Sequence, residues 1–166
     1  MSRDEVALAY DRHADTLFRL ALAELQSRED AEDVIQDVFA AYISASPRFP
    51  DVEQERAWLI RVTVNRARDL LRRRRHRGYV PLEDMAESLC APQEDPDGER
   101  AHLMDTLRRI PEKHRAAIVL HHLEGYGVEQ TARLLGVSIP AVKMRLSRGR
   151  AALKEMLEKE EDRHVQ

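Results

Sequence analysis

Apolar residues recur at spacings of three and four along most of the chain, the period of a helix that buries one face. Val6, Tyr10, Ala14, Leu17, Ala21 and Leu25 form the first such stripe. Ser27 with Asp30 three residues on predicts a helix N-terminus, followed by the stripe Ala31, Val34, Ile35, Val38 and Tyr42 with an acidic and polar opposite face. Pro47 and Pro50 interrupt the period. Asp51 with Gln54 then predicts the cap of a helix carrying Ala57, Trp58, Ile60, Val62 and Val64, which Ala67, Leu70 and Leu71 continue into a run of arginines. Residues 1–77 therefore predict one helical domain.

From Gly78 to Glu99 there are three prolines, two glycines, seven acids and few apolar residues, the composition of a flexible acidic linker. Helical periodicity resumes at Leu103, Leu107 and Ile110. Pro111 is placed to open a helix through Ala117, Leu120 and Leu123, with Gly125 at its C-terminal cap, and two short helices are expected around Gly136. No β-alternation is present. The prediction is an all-α chain: a helical domain over 1–77, a linker over 78–99, a second small helical domain over 100–160 and a tail over 161–166.

The segment VEQTARLLGVSIPAVKMRLSRGR meets the steric requirements of a helix-turn-helix. Ala132 is small where two helices cross, Gly136 can take the positive φ that ends the first helix, and Val142 can lock the second against it. Ser138 is a good N-cap, and Pro140 falls in the first turn, where a missing N–H costs little. A second helix starting near Ile139 would project Lys143, Met144, Ser147 and Arg148 outward, with Arg145 and Arg150 flanking, as a helix in a DNA major groove requires.

Charge strengthens that reading. The formal net charge is only −3, yet Arg56 to Arg77 holds nine arginines against one acid, and Lys143 to Lys154 holds five bases and no acid. Segregation on this scale indicates separate electrostatic tasks, since solubility alone is better served by mixed signs. Arg61, Arg66, Arg68 and the run Arg72 to Arg75 can neutralise phosphates, which supplies affinity but little base information. On the second helix, Asp33, Gln36 and Asp37 lie off the apolar stripe, free to accept hydrogen bonds from a basic partner.

Other chemistry finds little support. The longest apolar run, Val38 to Ile43, is far short of the ~18 residues of a membrane helix, and the N-terminal stretch lacks the apolar core of a secretory signal, so a cytoplasmic protein is expected. Cys90 stands alone and reads as a bystander. His114 and His121, seven apart on one expected helix, would stand roughly 10 Å apart along it, too far to share an ion. Nucleophile-elbow, phosphate-loop and HExxH patterns are missing, so neither catalysis, cofactor nor metal is expected. Trp58 could stack on a base, but its helical phase with Val62 favours the core.

Taken in order, REDAEDVIQDVFAAY, RAWLIRVTVNRARDLLRRRRHR and LRRIPEKHRAAIVLHHLEGYGVEQTARLLGVSIPAVKMRLSRGRAAL resemble the sigma-70 family, and specifically its extracytoplasmic-function (ECF) class, in which regions 2 and 4 are joined by a linker. The resemblance implies that the chain binds core RNA polymerase, through the β′ clamp helices at Asp30, Asp33, Gln36 and Asp37 and through the β flap. It implies −10 recognition and melting by Arg61, Asn65, Arg66, Arg68, Arg72 and Arg73, with Asn65 in a turn between two helical halves and bonded to an extruded base. It implies −35 duplex recognition by Ser138, Lys143, Met144, Arg145, Ser147, Arg148 and Arg150, and an anti-sigma factor as regulator. This chain has Pro140-Ala141 where the family usually has Gly-Thr, so it lacks a hydroxyl expected to touch DNA. It has Thr131 in place of an apolar residue and Gly127 at a cap usually held by Ser or Thr. Two rivals remain. A response-regulator effector would need a βα-alternating receiver, which the first 77 residues lack, and a purely protein-binding adaptor would leave both basic blocks unexplained.

Overall fold

The computed structural model describes residues 1–76 and 105–165. The acidic linker, Cys90 and Leu103 lie outside them. Among the described residues every regular element is helical.

Helix α1, Arg3–Leu25, begins with a reciprocal cap in which the Glu5 N–H donates to Ser2 Oγ (3.2 Å) and the Ser2 N–H to Glu5 Oε2 (2.8 Å). Of the expected stripe, Leu17, Ala21 and Leu25 are buried, but the N-terminal half of the buried face is shifted. Ala9, His13, Leu17, Leu20, Ala21 and Glu24 point inward, whereas Tyr10 is 50% exposed and Val6 and Ala14 are half-buried. The cause is two polar residues that a hydropathy stripe passes over because each finds its partner only in the fold. His13 Nε2 donates to Glu55 Oε1 at 2.8 Å, and Glu55 Oε2 accepts from the Tyr42 hydroxyl at 3.1 Å. Burial holds the His13 pKa below its ordinary value despite that carboxylate.

Helix α2, Arg28–Ala45, is capped by Ser27, whose Oγ accepts from the Asp30 N–H at 3.2 Å, and buries Ala31, Val34, Ile35, Val38 and Tyr42 as predicted, with Phe39 beside them. Asp51 Oδ1 accepts from the Gln54 N–H at 2.8 Å beside the start of α3, Val52–His76. Helix α3 runs unbroken for 25 residues. Asn65 therefore lies inside a helix and not in a turn, as the absence of Gly and Pro between 52 and 76 allows, and the Thr63 hydroxyl bonds the Leu59 carbonyl (2.7 Å) without breaking the helix. The three helices pack on one another around Leu17, Leu20, Val38, Leu59 and Ile60.

The second half starts with a helical turn at 105–108 and α4, Glu112–Ile118, which passes into a π-helical segment, Val119–Leu123, before Gly125 turns the chain at φ +79°. The expected uninterrupted α-helix through Leu123 is thus corrected, and Leu123 is exposed. His121 donates to the Tyr126 carbonyl (2.7 Å), whereas His114 is buried with its Nδ1 unbonded among the described residues. Helix α5, Val128–Leu135, ends at Gly136 (φ +70°), and Ser138 Oγ caps α6, Ile139–Val165, by accepting from the Ala141 N–H at 3.2 Å. Helix α6 has 27 residues where a short helix was expected. Ala132, Leu134, Val142 and Leu146 close the helix-turn-helix core. Thr131 is buried there with its hydroxyl unbonded, the cost of a hydroxyl at an apolar position.

Gly149 lets α6 cross α4 closely. A Cβ on it would meet Ile118 Cδ1 and Cγ1, each at 2.8 Å, and Ile118 is enclosed. Gly149→Ala should therefore destabilise by about 1–2 kcal/mol, because overpacking exceeds the gain of about 1 kcal/mol in helix propensity. Chemical unfolding checks the sign, which propensity alone would make stabilising.

Candidate nucleic-acid interface

Two basic surfaces come from two helices. On α6, Val142, Leu146 and Gly149 face inward, which turns Ser138, Lys143, Met144, Ser147, Arg148 and Arg150 to solvent. Arg145 is half-buried at the edge. Among the described residues none of these four cations is paired with a carboxylate, so their charge is available to a polyanion. Met144, 44% exposed, offers an apolar contact amid them.

The arginines of α3 divide into two sets. Arg66, Arg72 and Arg73 are exposed, and among the described residues only Arg72 of the three has a carboxylate partner, Asp69 one turn back at 3.2 Å. Arg61, Arg68 and Arg75, seven residues apart in sequence, lie along one stripe and turn toward the second half of the chain. Arg61 donates to the Arg133 carbonyl (2.6 Å) and the Leu134 carbonyl (3.1 Å), at the C-terminal end of α5. Arg68 donates to the Glu112 carbonyl (2.9 Å), and Arg75 to the Glu112 carboxylate (2.8 Å). Arg74 pairs with Asp30 at 2.7 Å. Asn65 is exposed and borders an open cavity lined also by Phe49, Gln54, Trp58, Arg61 and Arg133. Trp58 is half-buried there, its ring 5.9 Å from that of Tyr42 and 6.2 Å from that of Phe49, so it packs as predicted while one side meets the cavity.

Along α2, Asp33, Gln36 and Asp37 are exposed beside a fully used apolar stripe. Asp30 is not on that open surface: it is half-buried against Arg74.

The two halves meet through polar groups that the sequence did not announce. Glu124 accepts from Thr16 (3.0 Å) and from Arg19, Arg133 pairs with Glu53 at 2.9 Å, and the Arg56 guanidinium lies 5.6 Å from the Tyr126 ring centre. Burial pushes the Glu124 pKa up, but the Arg19 and Thr16 hydrogen bonds outweigh it and hold the carboxyl below its ordinary value. Deeper in, Arg115 donates to the carbonyls of Leu107, Arg108, Ile110 and Glu24. The Glu24 carboxylate, 2% exposed, lies 3.6 Å from Arg115 and 3.9 Å from Arg68 with neither oxygen hydrogen-bonded. Burial raises its pKa to about 7 against the pull of those two cations. The only hint in sequence was the seven-residue spacing of Arg61, Arg68 and Arg75.

Residues 9–77 match the Sigma-70 region 2 family and residues 100–153 match Sigma-70, region 4. The chain is 33% identical over 150 residues to the RNA polymerase sigma factor CarQ of Myxococcus xanthus, covering 89% of this chain and 86% of that one. It is 34% identical over 155 residues to the ECF RNA polymerase sigma factor SigM of Mycobacterium tuberculosis, covering 89% and 74%. Its fold is similar to that of CnrH solved in complex with the cytosolic domain of CnrY, with a TM-score of 0.66, 26% identity, and coverage of 95% of this chain and 90% of that chain. The helical folds, the exposed basic helices and these matches together make the chain a member of the sigma-70 family, an ECF RNA polymerase sigma factor that supports promoter-specific initiation of transcription.

Proposed function

We propose that this chain acts in the cytoplasm as a non-catalytic specificity subunit. Residues 1–77 would carry core binding and −10 recognition, 78–99 a tether, and 100–160 recognition of the −35 duplex. The observation that carries the assignment is the pair of separate basic helix faces, Arg66, Arg72 and Arg73 on α3 and Lys143, Arg148 and Arg150 on α6, each open to solvent. Phosphate contacts by the first set would hold the −10 strand while Asn65, at the mouth of its cavity, reads a base. The second set would lie in a major groove, with Met144 against a base edge. The exposed Asp33, Gln36 and Asp37 would dock on the basic surface of the β′ clamp helices, and region 4 on the β flap. CnrH was solved bound to the cytosolic domain of CnrY, and a protein partner is likewise proposed for this chain, the anti-sigma factor that the sigma-70 resemblance implies.

Run-off transcription with purified core polymerase over genomic DNA, with the 5′ ends sequenced, tests the proposal; no promoter-specific start would reject it. Within that assay Lys143→Ala and Arg148→Ala should each reduce initiation at limiting concentration. A base-edge contact would cost about 1–3 kcal/mol and relax one −35 position, whereas a phosphate contact would weaken all sequences and lower the salt slope by about one. Normal transcription by both variants would remove the recognition-helix assignment.

A further inference from the structure

In this conformation the second half of the chain uses up part of the surface assigned to the −10 strand. The Arg61 guanidinium spends two N–H donors on the last carbonyls of α5, the end at which a helix presents partial negative charge. A Cβ on Gly136 would lie 3.0 Å from that guanidinium, so the α5–α6 turn is pressed directly onto it. Arg133 reaches over the Asn65 cavity to pair with Glu53, and Arg68 and Arg75 are held by Glu112. Three of the arginines on α3 thus already have oxygen partners supplied by region 4. Among the described residues the recognition face of α6 carries no such cover.

We propose that docking of region 4 onto α3 is a self-masking contact, in which the C-terminal end of α5 and Arg133 occupy Arg61 and the Asn65 cavity and must leave before single-stranded −10 DNA can enter. The mask is one-sided: duplex binding by α6 does not require its release. This inference rests on the −10 assignment of Arg61 and Asn65. One restraint that involves no residue of either DNA surface is the contact of Glu124 with Arg19 and Thr16, which ties the turn after the π-segment to α1. Breaking it should loosen the dock without touching a DNA-binding residue.

The test uses the full chain. Glu124→Arg places two cations face to face and should expand the chain in small-angle X-ray scattering. It should raise affinity for a short, fluorescent, random-sequence single-stranded DNA about tenfold, as releasing a mostly closed population requires, and leave affinity for a random duplex unchanged. Arg19→Glu with Glu124→Arg restores opposite charges and should reverse both changes. Circular dichroism reports whether Glu124→Arg keeps its helices; if it does not, Arg19→Glu alone repels Glu124 from a half-buried position on α1 and carries the same expectations. An expanded chain with unchanged single-strand affinity, an equal gain for duplex, or a chain that stays compact would each overturn the mask. Arg61→Ala in the holoenzyme separates the two readings. If it impairs promoter opening while Glu124→Arg gains nothing, only the mask fails; if it leaves opening intact, the −10 assignment itself fails.

Discussion

Replacing Asp33 and Asp37 together by arginine should abolish association with core polymerase and leave the helical content unchanged. Both carboxylates are exposed on α2, and neither contributes to the buried stripe of Ala31, Val34, Ile35, Val38, Phe39 and Tyr42 that fixes the helix to its neighbours. Reversal changes the local charge by four units on a surface proposed to meet a basic partner. Juxtaposed like charges cost several kcal/mol, so the affinity should fall by a factor on the order of 100 or more. Copurification with core polymerase reads the effect, and circular dichroism verifies the fold. Asp30 is left out of the pair deliberately. Its bond to Arg74 ties α2 to α3, so a loss of binding on changing it would mix docking with structure. Retained copurification of the double variant would move the docking surface elsewhere.

Arg115→Ala should be the most destabilising single change near the junction of the two halves. The half-buried guanidinium satisfies three carbonyls between Leu107 and Ile110 and the Glu24 carbonyl at the end of α1, and it faces the Glu24 carboxylate. Removing it strands those acceptors and leaves Arg68, at 3.9 Å, as the nearer remaining cation for a buried acid. Loss of one partner from such a buried pair costs about 3–5 kcal/mol. The loss should also depend on pH. Glu24 has a folded pKa raised to about 7 from 4.5, so its contribution to stability is fully present below the lower value and lost as pH rises through the upper one. Without Arg115 the ionised form is poorer still, so the folded pKa rises further. The destabilisation should then be larger near about pH 8, where the carboxylate must be buried charged, than near about pH 5, where it is buried neutral. Urea unfolding at the two pH values measures this; equal losses would mean that Arg115 acts through the carbonyls alone.

Much of the candidate site was legible because it depends on local chemistry. The caps at Ser27, Asp51 and Ser138 are each formed with a backbone N–H three residues away, a distance at which side chain and backbone meet whatever the rest of the fold does. The outward row from Lys143 to Arg150 followed from the inward row of Val142, Leu146 and Gly149 by helix period. Errors arose where a polar side chain takes a core position. His13 and Glu24 shift the buried face of α1 away from Tyr10, and their partners lie 42 and 91 residues off in sequence. The unbroken α3 was missed for the opposite reason. Its local propensity allowed a helix throughout, and the resemblance alone suggested a turn at Asn65.

By itself, then, the sequence determined the helices and most of their ends, the helix-turn-helix, the sign of each surface and the family. All of these are encoded within a turn or two of helix or in the order of segments. Only the tertiary structure decided which arginines of α3 are free. Arg61 and Arg66 have the same charge and the same intrinsic chemistry, yet one donates to carbonyls 72 and 73 residues away and the other faces water. A guanidinium will bond any well-placed oxygen, so periodicity can say which way it points, whereas what waits there depends on how the second half of the chain packs against the first.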